Sequence, residues 1–223
     1  MSKKISSSGA AADAVPRARG RPRAFDRVAA LAIATRQFWQ KGYEATSIAD
    51  LTEAMGIGSP SLYATFGSKD ALYAEALQYY RDQHESLAFA GFLAADTARE
   101  AVAALLSDTA TGLTSGLFDV PYGCMVTLSS VGSGGHDQLA EQMRSARLAT
   151  LEKLKARLSR AQDAGELPPE VDIHALARFV QSVQSGMSIL ARDGAHRAEL
   201  LAVAELAMLG WDARLAAHAP GKA

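Results

Sequence analysis

Residues Thr46–Lys69, TSIADLTEAMGIGSPSLYATFGSK, carry the clearest structural pattern of the sequence. It predicts two short helices joined by a Gly-Ile-Gly turn and followed by the start of a longer helix. Ser47 and Asp50 have the spacing of a capping box, in which a hydroxyl and an acidic side chain cap one helix start together. Gly56 and Gly67 follow the last apolar residue of each short helix, where glycine commonly ends a helix. The stretch therefore predicts a compact unit of closely spaced helices.

The second short helix has an outer face of small and hydroxylated side chains. Leu62 and Phe66 are four residues apart and are predicted to face the core. A short helix with such an outer face suits the major groove of DNA, where hydroxyls reach bases or phosphates. Lys69, at the start of the next helix, would add a phosphate contact together with free N–H groups. The outward-facing residues are Ser59, Pro60, Ser61, Tyr63, Ala64 and Thr65.

A longer helix is predicted ahead of this unit. Asp26 has the character of an N-terminal cap, and Gly42 with Lys41 beside it forms a C-terminal stop. The helix has one apolar face at spacings of three and four residues. The predicted inward residues are Val28, Leu31, Ala32, Thr35, Phe38 and Trp39.

Residues 1–23 are predicted to form a disordered tail and a basic arm. Arg17–Arg23 contains four arginines, and its glycine and proline oppose helix formation. Its Arg-Gly-Arg-Pro core resembles the AT-hook, so Arg19, Arg21 and Arg23 would enter the narrow minor groove of DNA. The alternative is a solvated basic tail, as most short arginine runs are.

Composition favours a helical protein with an uneven charge distribution. Hydrophobic residues make up 48% of the 223 residues, Pro is scarce, and no alternating strand pattern is found, so an all-α fold is expected. Residues 1–81 carry eleven Lys or Arg against seven Asp or Glu, and residues 82–223 carry twelve against seventeen. A basic front on an acidic body is the balance expected of a polyanion-binding head.

The sequence predicts a cytoplasmic protein. No apolar run reaches the length needed to span a bilayer, and no secretory signal is recognised. Cys124 is the single cysteine, which excludes an intrachain disulfide and fits a reducing cytosol.

The region from Phe25 to about Tyr80 resembles the DNA-binding domain of the TetR family of bacterial repressors. The resemblance covers about a quarter of the chain, and turn glycines, caps and core residues all fall in register. It implies a homodimer that places one recognition helix per subunit in successive major grooves of a palindromic operator, about 34–36 Å apart. The matching residues are FWxxGYxxTSIxxL from Phe38, MGI from Met55, and SLYxxFGSKxxL from Ser61.

By position, the resemblance implies phosphate contacts from Thr46, Ser61, Tyr63 and Lys69. It implies base contacts from Ser59, Pro60, Ala64 and Thr65. The chain departs from the family at two of these positions, because larger polar or aromatic residues are common at position 64 and His is common at position 65. Few side chains are left for paired hydrogen bonds to bases, so the arginine arm is expected to carry unusual weight in affinity.

The resemblance also implies a regulatory body of helices, about nine helices in all. The predicted divisions are 1–23 tail and arm, 24–70 DNA-binding domain, 71–218 ligand-binding and dimerisation domain, and 219–223 tail. The helices predicted for the body cover residues 69–89, 98–113, 124–131, 136–164, 172–192 and 195–217.

A small-molecule pocket is implied among the body helices. Its candidates have apolar character, and a side chain of this kind is more often part of the core than part of a ligand pocket. Cys124 opens a helix after a glycine, as in a subset of the family; it would be a thiol sensor, a metal ligand or a small buried hydrophobe. The candidates are Phe89, Phe92, Tyr122, Cys124, Met125, Leu128, Phe179 and Met187.

The last two helices carry more apolar surface than one face needs. Such helices suggest burial against a partner chain, and in the family they build a dimeric four-helix bundle. The alternative is a core within one chain. The interface candidates are Phe179, Val183, Gly186, Leu190, Leu201, Met208 and Trp211.

Three functions are compatible with these patterns. The first is a DNA-binding repressor that a small-molecule effector releases from its operator. The second is an activator, or a regulator without an effector. The third is an all-α enzyme or carrier with a vestigial head, which the lack of any catalytic motif or cysteine cluster disfavours. No cofactor and no metal are expected.

Overall fold

The computed structural model describes residues 26–114, 121–129 and 136–217, and within these ranges it contains helices and no strand. The all-α prediction is therefore confirmed for the described chain. None of the described helices has the length and apolar character needed to cross a membrane. The helices are α1 Arg27–Lys41, α2 Ile48–Met55, α3 Ser59–Phe66, α4 Lys69–Ala88, α5 Ala90–Ala94, α6 Ala98–Thr114, α7 Met125–Leu128, α8 Asp137–Asp163, α9 Ile173–Arg192 and α10 Arg197–Ala216.

The helix that the sequence did not predict is α5. It follows α4 after a break at one residue, Phe89, which ends α4 and begins α5 with φ −105° and ψ 3°. The surrounding apolar residues run on without a glycine or proline at the break. The spacing of apolar residues in the sequence therefore does not reveal a break of this kind.

Three of the first four helices, α1, α2 and α4, begin at side-chain caps, whereas α3 begins after Gly58 without one. The Asp26 carboxylate accepts from the N–H groups of Val28 and Ala29 at 3.0 and 3.1 Å. Ser47 and Asp50 form the predicted capping box, each side chain accepting from the other residue's backbone N–H. These local bonds fix where α1, α2 and α4 start.

Buried residues form two clusters. The head core comprises the buried side chains of α1–α4 together with Met125, Leu139 and Met143. The body core comprises those of α5, α6, α8, α9 and α10 with Leu167 and Val171. Helix α4 carries head-core residues as far as Tyr80, so the head packs directly on α7 and on the start of α8.

The buried face of α1 differs from the prediction at one position. Val28 is 63% exposed, whereas Ala30 and Ala34 are buried with Phe38. Helix α1 packs mainly against α4. Alanine at the contact allows two helices to approach closely, so the small side chains take the inward positions.

Candidate nucleic-acid interface and ligand cavity

Helix α3 presents the outer face that the sequence predicted. Leu62 and Phe66 are buried and hold the helix on the head core. Ser59, Pro60, Ser61 and Ala64 are exposed, Thr65 is half-buried, and Tyr63 is 47% exposed. The helix thus offers solvent a surface of small side chains and one phenol. No carboxylate stands on this face to repel a polyanion.

The hydroxyl of Thr65 is already bonded within the helix. It donates to the carbonyl oxygen of Ser61 at 2.8 Å. Ala64 beside it has no polar group. The part of α3 that would meet base edges is therefore poor in free donors, as the sequence predicted.

Lys69 and the start of α4 form a second part of this surface. The first N–H groups of a helix have no acceptor within the helix. The Ser68 hydroxyl accepts from the N–H of Ala71, and the Ser68 carbonyl accepts from the N–H of Leu72. The N–H groups of Lys69 and Asp70 at the helix start remain for a ligand. The Lys69 ammonium lies 4.2 Å from the centre of the Tyr43 ring. A cation and N–H groups at one helix start suit a phosphate oxygen.

The position of Thr46 differs from the DNA contact that the sequence predicted for it. Its side chain is fully buried, and its hydroxyl donates to the carbonyl oxygen of Gly42 at 2.6 Å. The hydroxyl serves the turn between α1 and α2 and does not face solvent. Arg19, Arg21 and Arg23 lie outside the described residues, so their predicted contacts stay predictions.

A polar cluster behind Lys69 joins the head to the body. The Tyr43 hydroxyl donates to Asp70, and the other Asp70 oxygen lies 3.1 Å from Nδ1 of His136, the residue before α8. The Tyr43 hydrogen bond is the largest cause that holds the pKa of Asp70 below its usual value. Burial and the Asp70 carboxylate raise the pKa of Tyr43 well above its usual range. The cluster thus keeps Asp70 ionised and Tyr43 protonated.

Replacing Asp70 with Asn is expected to destabilise the protein by about 1 kcal/mol at pH 7, because a charge-assisted hydrogen bond becomes a neutral one at a half-exposed position. A lowered folded-state pKa contributes stability above the ordinary Asp pKa of about 4 and loses it as pH falls through the lowered value. The difference between wild type and variant should therefore shrink towards pH 3. Urea denaturation across this range would measure it, with Asp82→Asn, an exposed position in the middle of α4, as the control.

A large cavity lies between the head and the body. Its volume is about 1310 Å³, and its walls come from α1, α4, α5, α6, α7, α8 and α9, from the loop before α7 and from Ala54 of α2. Aromatic rings form one wall: Trp39 meets Tyr80 at 4.8 Å and His84 at 5.4 Å between ring centres. Phe89 continues that wall at the end of α4.

Hydrogen-bonding groups also line the cavity. Gln184 donates to the hydroxyl of Thr109 at 3.0 Å. His84 has ring contacts but no hydrogen-bond partner among the described residues, and burial lowers its pKa, so it presents a neutral imidazole. Trp39 and Tyr80 were not predicted for this site, since both have the apolar spacing of head-core residues.

The structure places two of the eight predicted pocket residues on the cavity wall, Phe89 and Cys124. Phe92, Met125 and Met187 are instead buried in the cores, and Tyr122 and Phe179 are exposed on the surface. Leu128 packs beside Gly123 and is not on the wall. Apolar character selects for burial in general and does not distinguish a wall from a core. In the described chain no group of three or more His, Cys, Asp or Glu side chains could hold a metal ion.

The last two helices expose an apolar face. Leu206 and Leu209 of α10 are 67% and 64% exposed. On α9, Phe179, Ile189 and Leu190 are also exposed. We call these five residues the α9–α10 face.

The predicted interface residues divide into two groups. Phe179 and Leu190 are on the α9–α10 face, and Val183, Gly186 and Leu201 are half-buried near it. Met208 and Trp211 are buried in the body core of their own chain, so they have no surface left for a partner. Helix α10 is apolar on several sides, and its sequence alone did not show which side faces inward.

Comparisons with known proteins agree with this architecture. The family described as bacterial regulatory proteins, tetR family, matches residues 30–76. The HTH-type transcriptional repressor ComR of Escherichia coli (strain K12) is 36% identical over 202 residues, which span 88% of this chain and 94% of ComR. The HTH-type transcriptional repressor BdcR of the same organism is 32% identical over 195 residues, spanning 84% and 90%.

A solved structure is similar over the same length. It is a cysteine-substituted form of the TetR family transcriptional regulator CifR complexed with 26-bp double-strand operator DNA. It is 40% identical, with a TM-score of 0.80, and the match covers 86% of this chain and all of that one. Similarity that runs through both the head and the body, and not the head alone, shows that the chain belongs to the TetR family of bacterial regulatory proteins.

Proposed function

We propose that the protein is a transcriptional repressor that binds a palindromic operator as a homodimer and releases it when a small molecule enters the cavity. The observation that carries this proposal is the outer face of α3, held outward by buried Leu62 and Phe66. Repression is favoured over activation because both curated relatives named above are repressors. Operator binding would take place in the cytoplasm.

The proposed DNA contacts fall into two sets. Ser61, Tyr63 and Lys69 contact phosphates, where hydroxyls and an ammonium beside free N–H groups bind well. Ser59, Pro60, Ala64 and Thr65 lie against base edges, and their small size permits close approach. This division assigns affinity and register on the duplex to the first set and sequence specificity to the second.

The proposed effector is a largely apolar, aromatic molecule with a few hydrogen-bonding groups. The cavity exceeds the usual ~300–1,000 Å³ of ligand pockets, so it accommodates a sizeable ligand. Trp39, Tyr80 and Phe89 would stack on it, while His84 and Gln184 would bond its polar atoms. Because the cavity touches both head and body, a ligand that fits one head position better shifts the population of head positions.

The proposal is tested by DNA binding. Fragments from upstream of the protein's own gene and its neighbours, chosen for inverted repeats, would be used in mobility-shift assays at several salt concentrations. We expect specific binding that weakens steeply with salt. If no such fragment is bound specifically at moderate salt, the repressor function is wrong.

Replacing Lys69 with Ala is expected to weaken operator binding about 3- to 10-fold for all sequences alike. Two phosphate contacts are lost per dimer, so the slope of log affinity against log salt should fall by about 2. Lys155→Ala is the matched control, because Lys155 lies on α8 and pairs with Glu152. Equal effects of the two variants would exclude a phosphate contact at Lys69.

A further inference from the structure

Arg192, the last residue of α9, bonds to three backbone carbonyls in two other segments. Its Nη2 donates to the Trp39 oxygen at 2.9 Å and its Nη1 to the Gln40 oxygen at 3.3 Å, both in the last turn of α1. Its Nε donates to the Tyr122 oxygen at 2.8 Å. A guanidinium at a helix C-terminus meets carbonyls that have no partner within the helix. One side chain thus fixes the end of α1 to both α9 and the loop before α7.

The loop itself is held from two sides. The Trp39 indole N–H donates to the Gly123 oxygen at 3.0 Å, and the Cys124 N–H donates to the Ser188 hydroxyl of α9 at 2.8 Å. Gly123 has φ of 82°, and a Cβ there would lie 2.8 Å from the Ser188 carbonyl oxygen. The loop therefore has little freedom to move without α1 or α9. We call Trp39, Gln40, residues 122–124, Ser188 and Arg192 the junction.

The junction forms part of the cavity wall. Trp39, Gly123 and Cys124 line the cavity, as do Gln184 and Ser185 on α9. A molecule that fills the cavity therefore presses on the residues that hold α1 against α9. Helix α1 belongs to the head, and α9 carries part of the apolar face proposed for the dimer. The junction is thus placed between the ligand, the head and the second subunit.

We infer that Arg192 is the positioning residue through which occupancy of the cavity changes the position of the DNA-binding head. This inference rests on the proposed function and adds the route of its regulation. With the cavity empty, Arg192 fixes the end of α1 relative to α9. A ligand that displaces the Trp39 ring or the Gly123 carbonyl moves two of the segments that Arg192 joins, and the head turns with α1. Lysine in its place reaches one carbonyl but not three.

The test is a measurement of coupling in the full-length protein. The probe is 1-N-phenylnaphthylamine, a neutral aromatic dye whose fluorescence reports binding. Its Kd is measured for the free protein and for the operator complex, and the ratio of the two is the coupling. We expect a ratio of about 10 or more in the wild type. In Arg192→Lys we expect a ratio below about 3, with the dye's Kd for the free protein unchanged within about 2-fold.

Arg99→Lys is the matched control. Arg99 makes two hydrogen bonds of 2.7 Å to Asp212 and joins α6 to α10 without touching the head. Its ratio should equal that of the wild type. Trp39→Phe removes the indole N–H that bonds to Gly123, together with part of the ring, and leaves the Arg192 bonds to backbone carbonyls possible. It should lower the ratio partly and serves if Arg192→Lys folds poorly.

The outcomes separate the inference from the proposed function. A wild-type Kd ratio in folded Arg192→Lys would overturn the inference alone. If Arg192→Lys does not fold, a wild-type ratio in Trp39→Phe would do the same. An equal loss in Arg99→Lys would overturn it too, since general loosening would then explain the effect. A ratio of one in the wild type would overturn the proposed ligand response, and the inference with it.

Discussion

Replacing Leu206 and Leu209 with Glu is expected to convert the protein to monomers and to weaken operator binding more than about 100-fold. Both leucines are about two-thirds exposed on α10, and exposed Phe179 of α9 lies beside Gly210 of the same helix. Large apolar side chains grouped on adjacent helices are typical of a surface that a partner covers. Four carboxylates at a two-fold interface would be desolvated and would repel one another.

The loss of DNA binding follows from the loss of the dimer. A dimer binds two half-sites at once, and the second contact is intramolecular, which raises overall affinity about 10²- to 10⁴-fold. A monomer keeps one recognition helix and loses that gain. Sedimentation would measure the mass, and mobility shift the affinity.

Leu93→Glu is the control for this prediction. Leu93 is 73% exposed, but it lies on the short helix α5 and outside the α9–α10 face. The control should remain a dimer with wild-type affinity. If the double variant of α10 also remains a dimer, the interface lies elsewhere on the chain.

Local signals predicted the head well. Ser47 and Asp50 form a capping box because the bonds involve residues three apart, and such bonds depend little on the rest of the chain. Gly56 has the positive φ that ends a helix, again a local property. Leu62 and Phe66 face inward because an eight-residue helix with two large apolar side chains has one way to pack. The resemblance to a known family then extended these local features to a function.

Tertiary choices could not be predicted in the same way. Met208 and Leu209 are both apolar, yet the first is in the core and the second is exposed, because the packing of α10 on α6 and α9 decides the inward side. Thr46 has a hydroxyl that suits a phosphate, but the carbonyl of Gly42 accepts from it first. Trp39 lines the cavity where the end of α1 meets the body, and Arg192 of α9 bonds to that end. The inward side of α10 and the place of Trp39 depend on residues distant in sequence, whereas a carbonyl only four residues away accepts the Thr46 hydroxyl.

Replacing Arg19, Arg21 and Arg23 with Ala is expected to weaken operator binding about 100-fold at about 0.1 M salt. The physical reason lies in α3. The Thr65 hydroxyl is bonded to the Ser61 carbonyl and Ala64 has no polar group, so α3 lacks side chains for paired bonds to bases. Arginines on a thin extended segment would supply what α3 lacks, by entering the minor groove where its potential is most negative.

Salt dependence distinguishes such an arm from a solvated tail. Six arginines per dimer that contact the DNA backbone or groove would contribute about 5 to the slope of log affinity against log salt. The triple variant should lose that slope and, if the arm reads groove width, any preference for A·T pairs flanking the half-sites. Lys3→Ala with Lys4→Ala is the control, because it removes charge from the same segment outside the arginine run. If the triple variant keeps its affinity and its salt slope, the arginine arm does not contact DNA. Operator affinity would then have to come from α3 and Lys69, through Tyr63, Ser61 and the helix starts.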